Sequence, residues 1–224
     1  MSEPELHVSD DPASPVAELL AAQARVGGSI VITGGSAVGR AYELAATAVP
    51  NWRKVSLWWS DERCVPVSDE RSNYGLARKT LLDRLAHLPD VHRMRGEIPA
   101  EDAVAEYEQA LAGVTFDLAL LGLGPDAHIA SLFPGSPQLA ERSRLVTHGP
   151  AGLEPFVERV TLTLPALLGA RRIVFLVRGA DKAEAVQRAF LGEIDEAAPG
   201  SLLRSGEAPI EVYLDPAAAA LAQA

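Results

Sequence analysis

Runs of apolar residues rich in Val, Ile and Leu punctuate the chain: SIVITG (29–34), VSLWWSDE (55–62), FDLALLGLG (116–124), RVTLTLP (159–165), RIVFLVRG (172–179) and IEVYLD (210–215). Their hydrophobicity is continuous rather than alternating, which predicts strands covered on both faces, as in a parallel sheet packed between helices. Helical spacing falls between the runs. In SNYGLARKTLLDRLAHL the residues Tyr74, Ala77, Leu81, Leu82 and Leu85 share a face, with Ser72 or Asn73 placed to cap. In DAVAEYEQALAG, Val104, Tyr107 and Leu111 do the same and Gly113 offers a stop, while ADKAEAVQRAFLG closes at Gly192. Strands alternating with helices predict an α/β fold: an open, mostly parallel sheet flanked by helices on both faces. Ligands of such sheets bind beyond the carboxyl ends of the strands. TGGS, SDER, GLGPDAH and RGADK each follow one of the apolar runs, so the chemistry is expected there.

At 224 residues and 48% hydrophobic, the chain can bury a full core. No repeat or Ser/Gly linker divides it, which predicts a single α/β domain over 1–224 with poorly ordered ends at 1–15 and 216–224. A net charge of -10 argues against nucleic acid or an acidic membrane surface as partner, since both need basic patches. An anionic small ligand would require a local positive pocket. Cys64 is the one cysteine, the opening MSEPELHVSDDPASP has neither a basic nor an apolar region of a leader, and no run approaches a membrane span. These features predict a soluble cytoplasmic protein, a monomer or small homo-oligomer.

Several stretches carry candidate chemistry. ITGGSAVGR (32–40) puts small residues where a strand turns into a helix, so that backbone N–H groups face a phosphate; a tight turn built for backbone reasons is the alternative. Ser36 stands where a dinucleotide fingerprint needs its second glycine, and the P-loop lysine is missing, so a compact phosphate fits better than a pyrophosphate. In WWSDERCVPVSDERSNYG, Arg63 held by Asp61 or Glu62 would present a fork to an anion, against the alternative of a solvated charged loop. A second SDER at 68–71 shows how easily that string arises. Lys182 in RGADKAEAV falls in the first turn of a helix, where an anion rather than a cation is electrostatically favoured, unless it is simply an exposed lysine beside Asp181 and Glu184. His128 has Asp126 two residues before it, and a carboxylate there can fix the imidazole tautomer for general-base work near neutrality. Cys64 reads as a small buried hydrophobe, and His7, His87, His92 and His148 as surface or structural residues. There is no Cys/His cluster for a metal and no G-x-S-x-G elbow.

LGLGPDAHIASLFPGSP (121–137) resembles the signature of the 6-phosphogluconolactonases, approximately G-x-G-x-D-G-H-x-A-S-L-F-P-G. The similarity continues through TGGS, SDERCVPVSDERSNYG, RVTLTLPALLGARRIVFLVRGADKAEAV and PGSLLR in the family's order, from about Gly28 to Asp215. The related glucosamine-6-phosphate deaminases share the D-G-H core and a Rossmann-like α/β fold but continue A-F-N-E-P, whereas IASLFPG here lacks that glutamate. The resemblance implies hydrolysis of 6-phospho-D-glucono-1,5-lactone to 6-phosphogluconate, the second step of the oxidative pentose phosphate pathway, on a sugar-phosphate lactone with no cofactor or metal. It assigns His128 as the base that activates water, with Asp126 orienting it. Gly34, Gly35 and Ser36 would line the sugar-phosphate end, Arg63 and Lys182 would bind the phosphate or the developing charge, and Asn73 falls near the site. Because the protein is acidic overall, Arg63, Lys182 and Arg40 are expected to make a local positive funnel for a dianionic substrate. Two departures stand out: SAVGR replaces the commoner S-T-P, and Ala127 replaces a glycine. If that glycine takes positive φ, Ala127 imposes strain or shifts His128. A deaminase or isomerase on the same fold, and a sugar-phosphate-binding protein of weak activity, are the alternative functions.

Overall fold

The computed structural model describes residues 2–222. Its elements run β1 (Glu5–Val8), α1 (Ala13–Val26), β2 (Gly28–Ile32), α2 (Gly39–Ala48), β3 (Val55–Trp59), β4 (Asp61–Arg63), α3 (Asn73–Thr80), β5 (Asp90–His92), α4 (Ala100–Ala110), β6 (Leu118–Leu121), β7 (Val146–Gly149), β8 (Arg159–Leu162), α5 (Leu164–Leu168), β9 (Ile173–Val177), α6 (Ala183–Val186) and β10 (Ile210–Leu214). Seven strands form one parallel sheet in the order β1-β10-β9-β6-β2-β3-β5. Helices α1, α2 and α3 pack on one face, with Ile30, Ile32, Leu57, Leu120 and Leu176. On the other, α4, α5 and α6 cover Val31, Ala119, Leu121, Phe175 and Val212. Covered on both faces, the central strands carry the continuous apolar runs that the sequence shows. The adjacent Trp58 and Trp59 point to opposite faces and enter both cores.

The expected α/β sheet is present, with differences that have local causes. The run at 55–62 divides at Ser60, whose N–H donates to Ile32 O (2.8 Å) while its carbonyl accepts from Leu162 N (2.8 Å). Beyond it the chain leaves the parallel sheet and, with the run at 159–165, builds a small antiparallel sheet in the order β4-β8-β7. Short edge strands β1 and β5 carry too much polar sequence to be read from hydrophobicity. Residues 5–15 are not a loose end: β1 pairs with β10 and α1 buries Ala13, Val16, Ala17 and Leu20. Nor does the alanine-rich tail fray over its described part, because Ala218 and Ala219 are small enough to pack into the core, and Ala218 N donates to Asp215 Oδ1 (2.8 Å). Residues 1, 223 and 224 lie outside the described residues. Of the two candidate caps for α3 the helix uses Ser72, whose Oγ accepts from Gly75 N (3.0 Å). The helix expected to close at Gly192 is α6 followed by a wider turn over Gln187–Leu191. Among the described residues no helix is long and apolar enough to cross a membrane.

The carboxyl ends of β2 and β3 need partners for backbone groups where the strands stop. Two buried tyrosines supply them. Tyr42 Oη donates to Thr33 O (2.6 Å) and accepts from Thr33 N (3.1 Å). Tyr107 Oη donates to Trp59 O (3.1 Å) and accepts from Trp59 N (2.8 Å). Burial raises both phenols above the ordinary tyrosine value, so each remains a donor as well as an acceptor. Removing either hydroxyl strands a buried N–H and a buried C=O. Tyr42→Phe and Tyr107→Phe should each cost about 1–3 kcal/mol of unfolding free energy in urea titrations. An unchanged midpoint would mean that these backbone groups have other partners.

Candidate active site

Beyond those strand ends lies a cleft of about 520 Å³. The turns after β2, β3, β6 and β9 all reach it. Gly34, Gly35 and Ser36 line one side, Arg63 and Asn73 another, and His128, Arg178 and Lys182 complete the wall. Of the residues expected at a site, Gly34, Gly35, Ser36, Arg63, Asn73, His128 and Lys182 are therefore brought together, with Asp126 bonded behind His128.

Arg40 is not among them. As the second residue of α2, it forks onto Asp11, Nε to Oδ1 at 3.2 Å and Nη2 to Oδ2 at 2.8 Å, with its side chain 55% exposed. That pairing, chiefly the hydrogen bond, holds the Asp11 carboxyl at about 2. Arg63 is also held differently from expectation. Glu62 does not grip its guanidinium but accepts its backbone N–H (2.7 Å), while Arg63 Nη1 donates to the carbonyl of Arg71. The second SDER is the solvated version of the string, with Arg71 forked on Asp69.

The turn that carries His128 is tightly specified. Gly124 N donates to His128 O (2.9 Å) and Ala127 N to Gly124 O (3.0 Å). The imidazole lies over Gly124, where any Cβ would collide with Nδ1 and Cε1. Gly34 is confined in the same way by the Asn73 amide, so both glycines serve close approach. Ala127 has φ 67° and Ala130 φ 49°, so this turn holds two non-glycine residues in the left-handed region. The Ala127 methyl is fully buried, and His128 remains engaged with Asp126. The left-handed backbone is thus present together with an intact Asp126–His128 contact. Ser131 ties the turn down: its Oγ donates to Asp61 Oδ2 (2.8 Å) and its N–H to Thr161 Oγ1 (3.1 Å).

Asp126 Oδ1 lies 2.6 Å from His128 Nδ1 and 3.2 Å from its backbone N. Burial pushes the Asp126 carboxyl up, but the hydrogen bonds and charge of His128 outweigh it and leave the group below its ordinary value. An ionised carboxylate only accepts, so Nδ1 carries the proton, and in the neutral ring Nε2 keeps its lone pair. Phe133 covers the ring at 4.4 Å between centroids. Such an arrangement can serve as a general base, and it is set in a cleft whose wall holds Arg63, Arg159, Arg178 and Lys182 in an acidic protein. Arg159, Arg178 and the buried Asp61 are site residues that motif reading does not single out as ligand contacts. Arg159 and Arg178 flank apolar runs, and only the antiparallel pairing of β4 with β8 brings Arg159 into the cleft. His7, His87, His92 and His148 lie outside it.

Comparison with known proteins finds relatives over most of the chain. The family described as glucosamine-6-phosphate isomerases/6-phosphogluconolactonase matches residues 7–212. The chain is 38% identical to a 6-phosphogluconolactonase of Rattus norvegicus over 204 residues, covering 85% of this chain and 79% of the rat protein. Against one of Homo sapiens the identity is 37% over 214 residues, 89% and 83% of the two chains. Among solved structures, the 6-phosphogluconolactonase from Thermotoga maritima superposes with a TM-score of 0.85 at 27% identity, covering 95% of this chain and all of that one, 100%. A monomeric glucosamine-6-phosphate deaminase reaches 0.87 at 20% identity over 97% and 99% of the chains, which shows the shared fold.

Two expectations follow from the site. Ala127→Gly relieves the left-handed strain but loses a buried methyl, so stability should move by no more than about 1 kcal/mol, whereas β-branched Ala127→Val should lose about 2 kcal/mol or more. Equal thermal stability of all three proteins would mean that the turn is unstrained. Cys64 packs against the core, and burial first, then Glu158 and Glu62, push its thiol up to about 11. Alkylation near pH 8 should be about a hundredfold slower than for free cysteine and rise about tenfold per pH unit towards that value. A pH-independent fast reaction would contradict the assignment of a protonated thiol.

Proposed function

The chain belongs to the family of glucosamine-6-phosphate isomerases and 6-phosphogluconolactonases, and on that premise we propose that it hydrolyses 6-phospho-D-glucono-1,5-lactone to 6-phosphogluconate, in the cytoplasm, with His128 as the general base. The observation that carries the reading is the Asp126–His128 pair at 2.6 Å, whose remaining ring nitrogen belongs to a residue lining a cation-rich cleft. A phosphorylated lactone offers what such a cleft can use: a dianion for the cations and an electrophilic carbonyl beside a base.

The steps balance. His128 Nε2 takes a proton from water as its oxygen attacks the lactone carbonyl, giving a tetrahedral oxyanion. Backbone N–H groups and a nearby cation meet the developing charge. Collapse re-forms the carbonyl and breaks its bond to the ring oxygen, which takes the proton back from the imidazolium. Asp126 stabilises that imidazolium and keeps Nδ1 protonated throughout. Binding of the phosphate by Lys182, Arg63 and the Gly34–Ser36 turn positions the carbonyl, so that affinity far from the reacting bond serves the rate. The stretch IASLFPG favours the lactonase over the deaminase, because the glutamate of the deaminase pattern is absent and Phe133 packs on the imidazole instead.

The test is hydrolysis of lactone generated in situ, measured over the spontaneous background. His128→Ala should lower kcat by about 10²–10⁴-fold, and Asp126→Asn, which frees the wrong tautomer, by a similar order. Wild-type turnover in His128→Ala would remove the base assignment. Ammonia release from glucosamine-6-phosphate without lactone hydrolysis would move the function to the deaminase branch.

A further inference from the structure

Arg159 is the most deeply buried cation of the cleft, 4% exposed, and the mechanism above gives it no task. Its surroundings are unusual for a buried charge. The antiparallel pairing of β4 with β8 sets Arg159 directly opposite Arg63, and like charges facing each other across two strands are destabilising. Neither guanidinium is within ion-pairing distance of a carboxylate among the described residues. Arg159 Nε and Nη2 donate to the carbonyls of Val157 (3.1 Å) and Pro155 (2.9 Å), and Nη1 makes no hydrogen bond among the described residues. Arg63 donates through Nη1 to a carbonyl, while its Nε is buried without a partner. The other cations are already matched, Lys182 by Asp181 at 2.9 Å and Arg178 by Asp215 at 3.9 Å. Desolvation, and then the charge of Arg63, push the Arg159 guanidinium below its ordinary value, which an incoming anion would reverse.

We propose that Arg159 is a substrate-binding residue that forms, with Arg63, a two-guanidinium seat for the phosphate dianion of the substrate. This rests on the sugar-phosphate reading of the cleft and adds to it the residue that completes the charge match. Two unpaired guanidiniums balance a dianion, and their planar forks suit phosphate oxygens better than ammonium groups do. Because Arg159 also holds the backbone at Pro155 and Val157, capture of the phosphate bears on the adjoining segment, whose Leu153 and Glu154 line the same cleft.

Calorimetric titration of the wild type, Arg159→Lys and Arg63→Lys with 6-phosphogluconate, inorganic phosphate and gluconate tests the seat. Arg→Lys keeps the charge and the bulk while removing the fork. Each substitution should weaken 6-phosphogluconate and inorganic phosphate by about tenfold or more and leave gluconate binding unchanged. Unchanged affinity for 6-phosphogluconate, or a loss confined to gluconate, overturns the proposal; the second result would place Arg159 at the carboxylate end. In the unsubstituted chain, the arginine Nε–H resonances of Arg63 and Arg159, assigned by their loss in the lysine variants, should shift with inorganic phosphate. Resonances that do not move overturn it. Arg159-dependent phosphate binding without lactone turnover would uphold the seat and remove the catalytic reading. Turnover with phosphate binding indifferent to Arg159 would do the reverse.

Discussion

Glu62 is 2% exposed, and its carboxylate accepts four hydrogen bonds: from Arg63 N (2.7 Å), Asn73 N (2.7 Å), Tyr74 N (2.8 Å) and Ser72 Oγ (3.0 Å). Burial pushes this carboxyl up while the three backbone N–H groups pull it down, and burial prevails. Everything on this side of the cleft hangs on the contact. It joins the strand that carries Asp61 and Arg63 to the first turn of the helix that carries Asn73, two segments whose intervening loop has no regular structure. A buried carboxylate with every acceptor site used is rigid, because moving it would strand several donors at once.

From there the same logic passes to the turn that carries His128. Asp61 accepts from Ser60 Oγ (3.1 Å) and Asn73 Nδ2 (3.2 Å) on one oxygen and from Ser131 Oγ (2.8 Å) on the other. Ser131 lies three residues beyond His128, inside the turn that holds Ala127 and Ala130 at positive φ. Strained turns persist where their surroundings over-determine them, and this one is fastened at Asp61, Thr161 and Gly124. The position of the imidazole is thus a property of the polar network beneath it, with Asp126 setting only its tautomer.

The parallel sheet explains why these groups meet at all. With both faces covered, its interior has room for apolar side chains only, and polarity collects where strands end. Tyr42 and Tyr107 close the ends of β2 and β3 with hydroxyls, which spares the backbone of the site-forming turns an unsatisfied edge. Against a net charge of -10, the cleft still gathers four cations from three different elements and turns. That concentration gives the cleft a local positive character that none of them supplies alone.

The sequence by itself determined the architecture and the pairing of Asp126 with His128. Continuous apolar runs require a sheet buried on both sides, and the spacing of Asp126 and His128 beyond one run places a carboxylate within reach of an imidazole along a short turn. Local chemistry of that kind survives in one dimension because its partners are two or three residues apart. What lies far apart in the chain was decided by tertiary structure. Arg159 faces Arg63 only because two strands pair antiparallel, a register that neither run announces, since its hydrogen bonds are between backbone groups common to all residues. Arg40 was drawn away by Asp11, an acid 29 positions earlier that no motif connects to it. The edge strands and the buried ends are not legible in the sequence for a related reason: β1 and the alanine tail are ordered by the neighbours they pack against, and their own side chains carry little of that information.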